Sequence, residues 1–409
     1  MINASRSGRS FWSGRVLALV GIVLVAANLR TAVASLSPVT TLVGVDIPLG
    51  ALALGVLGML PPVCFAVFGI FTPVFARRLG LEGVLVLALL TLFAGHLLRG
   101  TAADLGWLLA ASAITFAALG VANVLLPPLV KKYFPDRLGL VTSLFVTVVA
   151  LSTVLPPLVA VPVAQSAGWR VSLGMWGLLS LLAMVPWITM LVRSRVANLP
   201  SPVLEEADAG LLSRIWRSSI AWAIAVVFAM SAVNAYAVFA WLPQLLIDRA
   251  GFSPAEAGLT LSLYAAMGIP VALIVPLITA RLKNVGLLVY LGVFFFLAGD
   301  LGLLLAPTSF TALWVAFAGL GPLFFPLALT LINLRTRTHQ GAVALSGFVQ
   351  SVGYTLGALG PLAMALLHEL TSGWTWPLLF LITTALLVSL AGPVISRPHL
   401  LEDDLERPR

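Results

Sequence analysis

Apolar runs of about twenty residues recur along this chain, and they constrain its fold more than any other feature. They cover residues 16–39, 51–75, 83–98, 106–130, 138–162 and 171–192, then, after a polar gap, 220–246, 257–280, 285–305, 310–332, 342–366 and 374–395. Roughly 20 helical residues cross a hydrocarbon core about 30 Å thick. Inside that core only a helix or a closed barrel satisfies every backbone N–H and C=O. Runs this long and continuously apolar read as helices, so the expected fold is an all-α integral membrane protein with twelve crossings. Charged residues make up only 9% of the chain against 60% hydrophobic, a balance that excludes a soluble globular domain.

Lysine and arginine orient the ladder. With the N-terminus placed in the cytoplasm, 19 of the 23 basic residues fall in inside segments: Arg6, Arg9, Arg15; Arg77, Arg78; Lys131, Lys132, Arg137; Arg193, Arg195, Arg214, Arg217; Arg281, Lys283; Arg335, Arg337; and Arg397, Arg407, Arg409. Only Arg99, Arg170 and Arg249 fall outside, and Arg30 lies within the first run. Short basic loops stay cytoplasmic, so a multi-pass plasma-membrane protein with both termini inside is expected. The net charge of +8 is dispersed over these segments, which points to anionic lipid as its counterpart and not to nucleic acid. A single cysteine, Cys64, excludes an internal disulfide. The first run is read as a retained span and not a cleaved leader, because it is long and Arg30 precedes the Ala32-Val33-Ala34 tripeptide.

The two halves repeat. Pro73, Arg78-Leu79 and Gly83 recur as Pro276, Arg281-Leu282 and Gly286, 203 residues later. Ala94-Gly95-His96 recurs as Ala298-Gly299-Asp300, Gly120 and Pro127 as Gly319 and Pro326, Ser143 and Phe145 as Ser346 and Phe348, and Asn28 as Asn234. The expected organisation is a six-helix bundle over 1–192, a cytoplasmic linker over 193–219 carrying Pro200, Pro202, Glu205, Glu206 and Asp208, and a second bundle over 220–409 with a short cytoplasmic tail. Parallel six-helix repeats describe a carrier that rocks around a site at the bilayer midplane.

Several segments carry a family likeness. The first run reads Asn28-Leu29-Arg30-Thr31-Ala32-Val33 with Ser37-Pro38. The seventh carries Tyr236 and Ala240-Trp241-Leu242-Pro243, followed by Ser253-Pro254-Ala255-Glu256-Ala257-Gly258. Further on come Phe325-Pro326-Leu327-Ala328-Leu329-Thr330, the stretch from Leu345-Ser346-Gly347-Phe348 to Gln350 and Gly353-Tyr354, and Gly360-Pro361. In these segments, spread over both halves, the chain resembles the major facilitator superfamily and within it the cyanate and 2-nitroimidazole transporters. The resemblance implies two pseudo-symmetric six-helix bundles and alternating access. It fails at one place. The superfamily's loop between its second and third helices carries an aspartate, whereas Arg77 occupies that position in Ala76-Arg77-Arg78-Leu79-Gly80-Leu81-Glu82.

No catalytic or metal-binding constellation is present. His96, His339, His368 and His399 lie in separate segments, and there is no phosphate-binding glycine loop. The chain therefore reads as a non-enzymatic secondary transporter, without cofactor or metal, working as a monomer on a small-molecule substrate. Arg30 is its strongest residue. A cation about 14 residues into a crossing costs at least roughly 2.5–3.5 kcal/mol and persists where it meets a partner or lines a wet cavity. A guanidinium is a planar donor fork suited to oxyanions, carboxylates or cyanate. The competing reading is an arginine that braces helix carbonyls.

The other candidates for contact with the solute are Asn28, Asn123, Thr147, Asn234, Tyr236, Trp241, Gln350 and Tyr354. Gln350 and Tyr354 share a helix face at i, i+4, and Tyr236 and Trp241 offer surfaces for a planar solute. Small polar residues also serve helix packing in membranes. His96 and Asp300, at repeat-equivalent positions, are the candidates for coupling to protons. The rival classes are an exporter of toxic small molecules with the same fold, and a membrane receptor that transports nothing.

Overall fold

A computed structural model describes residues 15–197, 214–282 and 284–406. Most of the expected linker, and the tail after Glu406, lie outside the described residues. Eleven helices are long and apolar enough to cross a membrane. One of them, Ala51–Gly100, runs for 50 residues and is interrupted at Gly80, where φ is 74° and ψ 163°. That left-handed geometry is open to glycine at little cost, and it divides the element into 51–79 and 81–100. The twelve expected crossings are therefore present. We call them spans 1 to 12: Val16–Asp46, 51–79, 81–100, Leu105–Tyr133, Gly139–Ala167, Trp169–Val192, Ser219–Ala250, Pro254–Thr279, Gly286–Leu305, Thr311–Leu334, Gln340–Thr371 and Thr375–Ser396.

Two large apolar cores lie on either side of the molecule. One is built from spans 1 to 6 around Ile22, Leu85, Leu119, Leu129 and Trp187, the other from spans 7 to 12 around Phe228, Val289, Phe324 and Leu345. The short helix Leu401–Glu406 fastens the loops of the second bundle. Asp404 accepts hydrogen bonds from Ser218 Oγ, Ser219 Oγ and the Ile220 amide at the start of span 7. Glu402 accepts from the Arg337 and Thr338 amides just ahead of span 11.

Between the bundles, span 2 packs on span 11 and span 5 on span 8. On the face opposite the termini this seam is tight. A Cβ on Gly58 would stand 2.7 Å from Ala240 Cβ and 2.8 Å from Pro361 Cβ, and one on Gly55 2.5 Å from Ala365 Cβ. On the termini face span 5 begins uncovered: in residues 139–144 only Val141 is buried. The bundles are closed on one face and parted on the other.

The loop after span 2 answers the missing aspartate. Glu82, almost fully buried, accepts from Lys132 Nζ at 2.6 Å and Tyr133 Oη at 2.5 Å. This carboxylate ties two loops of one bundle together and does not reach across to the other.

Candidate functional site

Span 1 is not one helix. Regular structure stops at Asn28, restarts over Thr31–Ala34, passes through a 3₁₀ turn at Ser37–Val39 and resumes at Thr40. Local polar groups cause the breaks. Asn28 Nδ2 bonds back to the Leu24 carbonyl and Thr31 Oγ1 to the Asn28 carbonyl, competing with the helical ladder, and Pro38 brings no N–H. Arg30 sits in the first break at φ −121°, ψ −8°. Discontinuous spans of this kind build the solute sites of many carriers.

Arg30 faces a cavity of about 260 Å³ that both bundles wall. From the first bundle come Arg30, Val33, Val149 and Thr153. From the second come Ser231, Tyr236, Phe239, Val271, Phe325 and Tyr354. The Arg30 guanidinium interacts with the hydroxyls of Tyr236 and Tyr354, and its carbon lies 5.5 Å from the centroid of the Phe65 ring, within cation–π range. Phe65 also meets the Tyr354 ring edge-on at 6.2 Å. The wall holds no aspartate or glutamate among the described residues. It presents one positive charge, two phenols and the small hydroxyl residues Thr153 and Ser231 in a chamber otherwise apolar.

Of the nine residues expected to contact solute, Arg30, Tyr236 and Tyr354 meet in this chamber. The others are placed elsewhere. Asn28 ties span 1 to span 6, donating to the Leu179 carbonyl at 3.3 Å and accepting from Ser180 Oγ at 2.9 Å. Asn234 makes the equivalent tie in the second bundle, donating to Thr384 Oγ1 of span 12 at 3.0 Å. Trp241 is 1% exposed. It donates to the Pro361 carbonyl and packs against His368 and Trp374. Gln350 Nε2 bonds Ser346 Oγ, Thr147 Oγ1 bonds the Ser143 carbonyl, and Asn123 lies half-buried on span 4 outside the wall. Phe65, Thr153, Ser231 and Phe239 were not singled out by the sequence. Val33, Phe325 and Pro326 stand in the segments that carry the family likeness.

His96 and Asp300 are fully buried in spans 3 and 9, away from the cavity. His96 Nδ1 is 3.1 Å from the Leu173 carbonyl, and Asp300 Oδ2 has no hydrogen-bond partner among the described residues. Arg99 corrects the loop assignment. It occupies the last turn of span 3, 0% exposed, not an outer loop. Of the other two basic residues counted outside, Arg170 pairs with Asp46 and Arg249 donates to the Leu304 carbonyl.

Comparison with known proteins agrees with this architecture. A family model for the Major Facilitator Superfamily matches residues 18–358. The chain is 33% identical over 397 residues to the uncharacterized transporter YycB of Bacillus subtilis (strain 168), covering 96% of this chain and 95% of that protein. It is 30% identical to the 2-nitroimidazole transporter of Escherichia coli (strain K12), covering 95% and 97%. It is 23% identical to the cyanate transport protein CynX of the same organism, covering 87% and 91%. Among solved structures, a bacterial homolog of the human lysosomal transporter Spinster, in an inward-facing and occupied conformation, superposes with a TM-score of 0.74 at 15% identity, covering 97% of this chain and 99% of that one.

Proposed function

The chain belongs to the major facilitator superfamily, and from that premise we propose that it carries a small anionic, planar solute across the membrane by alternating access, with Arg30 as the anion anchor. The observation that carries this reading is one guanidinium facing a cavity walled by both bundles, with no carboxylate in that wall. A cation so placed has its charge unanswered by the protein, and the solute supplies the answer. Tyr236 and Tyr354 hold the guanidinium and offer their hydroxyls to the same anion. Charge-assisted bonds of this kind are about twice as strong as neutral ones. Phe239 and Phe325 supply flat apolar surface for the solute's body, and Phe65 backs the guanidinium. Two relatives transport planar solutes by name, cyanate and 2-nitroimidazole, which supports a planar substrate here.

The seam supports alternating access. The bundles close on the face opposite the termini and part on the termini face. A rocking motion that opened the Gly55/Gly58 contact and covered the start of span 5 would expose the same cavity to the other side. The excess of lysine and arginine on the termini side supports a cytoplasmic position for that face. Protons are the coupling ion in this reading, and Asp300, with its free carboxylate oxygen, is better suited to exchange one than His96. The test is flux into proteoliposomes from a panel of small carboxylates, cyanate and neutral nitroaromatics of matched size. Anions are expected to exchange in counterflow. Exclusive transport of the neutral compounds would overturn the anion assignment.

A further inference from the structure

We propose that Arg99 holds a small inorganic anion, of chloride size, inside the first bundle between spans 1, 3 and 4. This site is separate from the solute cavity. Arg99 is completely buried, and of its three guanidinium nitrogens only Nη1 has a partner, the Ala32 carbonyl at 3.3 Å. Nε and Nη2 have none among the described residues. A cation there is costly unless it is paired.

Among the described residues the first bundle offers no counter-charge. The first bundle contains four acidic residues, and each is committed elsewhere. Asp46 accepts from Trp169 and Arg170, Glu82 from Lys132 and Tyr133, and Asp136 from Arg15. Asp104 caps the start of span 4 through the Trp107 amide. Asp300, the buried acid of the second bundle, can discharge itself by taking a proton. A guanidinium cannot discharge by losing one, so its neutrality has to come from an anion.

The surroundings supply further donors. Gly95 of span 3 abuts Thr115 of span 4, and the antiparallel register then sets Arg99 opposite Ser112. Ser35 lies one turn beyond Ala32 on span 1. Ser35 Oγ and Ser112 Oγ are both buried without a partner among the described residues. Two hydroxyls and the N–H groups of two guanidinium nitrogens make a donor set for a monoatomic or small anion, with no negatively charged group among them. His96, one turn back on span 3, bonds the Leu173 carbonyl through Nδ1, and its Nε2, buried without a partner among the described residues, brings no negative charge to answer the guanidinium. Phe116 covers the guanidinium from one side, its ring centroid 5.6 Å from the Arg99 guanidinium carbon. Thr101, two residues on, is exposed, so the site lies just beneath the surface from which an ion would enter.

The test is thermal unfolding of the purified protein in gluconate at constant ionic strength, titrated with chloride and then bromide. Arg30→Met, which removes the cavity cation, should still show a saturable rise in Tm, and the Arg30→Met/Arg99→Met double variant none. In gluconate alone Arg99→Met should be at least as stable as wild type, because an apolar side chain replaces an unanswered charge. A rise that survives in the double variant, or none in Arg30→Met, would overturn the proposal. So would a wild type indifferent to halide, which would leave Arg99 to water. If Arg99→Met does not fold, anomalous scattering from wild-type crystals grown in bromide decides the matter: a peak at the Arg99 guanidinium supports the site, and its absence refutes it.

Discussion

Replacing Gly58 with alanine should shift the conformational balance of the protein while leaving its fold intact. The added methyl would meet Ala240 Cβ at 2.7 Å and Pro361 Cβ at 2.8 Å, closer than packed carbons tolerate, and both neighbours belong to the opposite bundle. The clash exists only while the seam is closed. Overpacking of this kind costs about 1–3 kcal/mol, which corresponds to a roughly 5–150-fold shift in population towards the conformer that opens this face. The shift is readable by cysteine reactivity in detergent, where a bulky maleimide reaches both faces. Cys64 is replaced by alanine, and Leu54→Cys in the seam and Val146→Cys in the cavity wall serve as reporters. In the Gly58→Ala background labelling at position 54 should accelerate while labelling at 146 slows. Unchanged rates at both positions would refute the seam as the gate. Acceleration at both would show loosening of the fold and not rocking.

Other consequences are as specific. Asn28→Ala and Ser180→Ala remove the tie between spans 1 and 6; each should lower thermal stability, with a coupling of about 0.6 kcal/mol in a double-mutant cycle, while solute affinity holds. A large loss of affinity in Asn28→Ala would instead return that residue to the solute site. Asp300→Asn should abolish accumulation driven by a pH gradient yet preserve downhill exchange, and unaltered pH dependence would remove Asp300 from coupling. Burial raises the Glu402 and Asp404 carboxyls, but hydrogen bonds outweigh it and both end below the usual carboxylate range, held by the Arg337 and Thr338 amides and by Ser218 and the Ile220 amide. Their contribution is therefore complete above the unfolded-state pKa values and is lost as pH falls through the lowered ones. Protection from hydrogen exchange at the start of spans 7 and 11, relative to the intrinsic rate at each pH, should hold at neutral pH and fall only at strongly acidic pH; a fall already near pH 6 would contradict this.

The helical architecture was legible because it rests on run length, which any membrane-crossing helix must obey. The repeat was legible too, and the structure gives it chemical content: Asn28 with Ser180 and Asn234 with Thr384 make matching ties in the two bundles. What misled was treating every polar residue on a cavity helix as a cavity residue. Asn28 and Arg30 are two positions apart, as are Asn234 and Tyr236, and residues at that spacing point to different faces. One of each pair faces its own bundle and the other the cavity. Trp241 has the composition of a solute contact, but its indole N–H is satisfied by the Pro361 carbonyl inside the second bundle, a long-range partner that local sequence does not encode. The burial of Arg99 was hidden for a related reason. At the end of an apolar run a basic residue reads as a loop residue, and only the approach of the Ala32 carbonyl from a distant span reveals otherwise.

Solute binding by Arg30 variants tests the central claim most directly. A charge-assisted hydrogen bond is worth about 1.5–3 kcal/mol, roughly a 10–150-fold change in Kd. With a transported anion identified by counterflow, Kd is measured by ligand-induced thermal stabilisation for wild type, Arg30→Lys and Arg30→Met. Arg30→Met should fold and lose binding by at least that factor. Arg30→Lys should recover only part of it, because an ammonium cannot present the planar fork. Wild-type affinity in a folded Arg30→Met protein would contradict the anchor role outright.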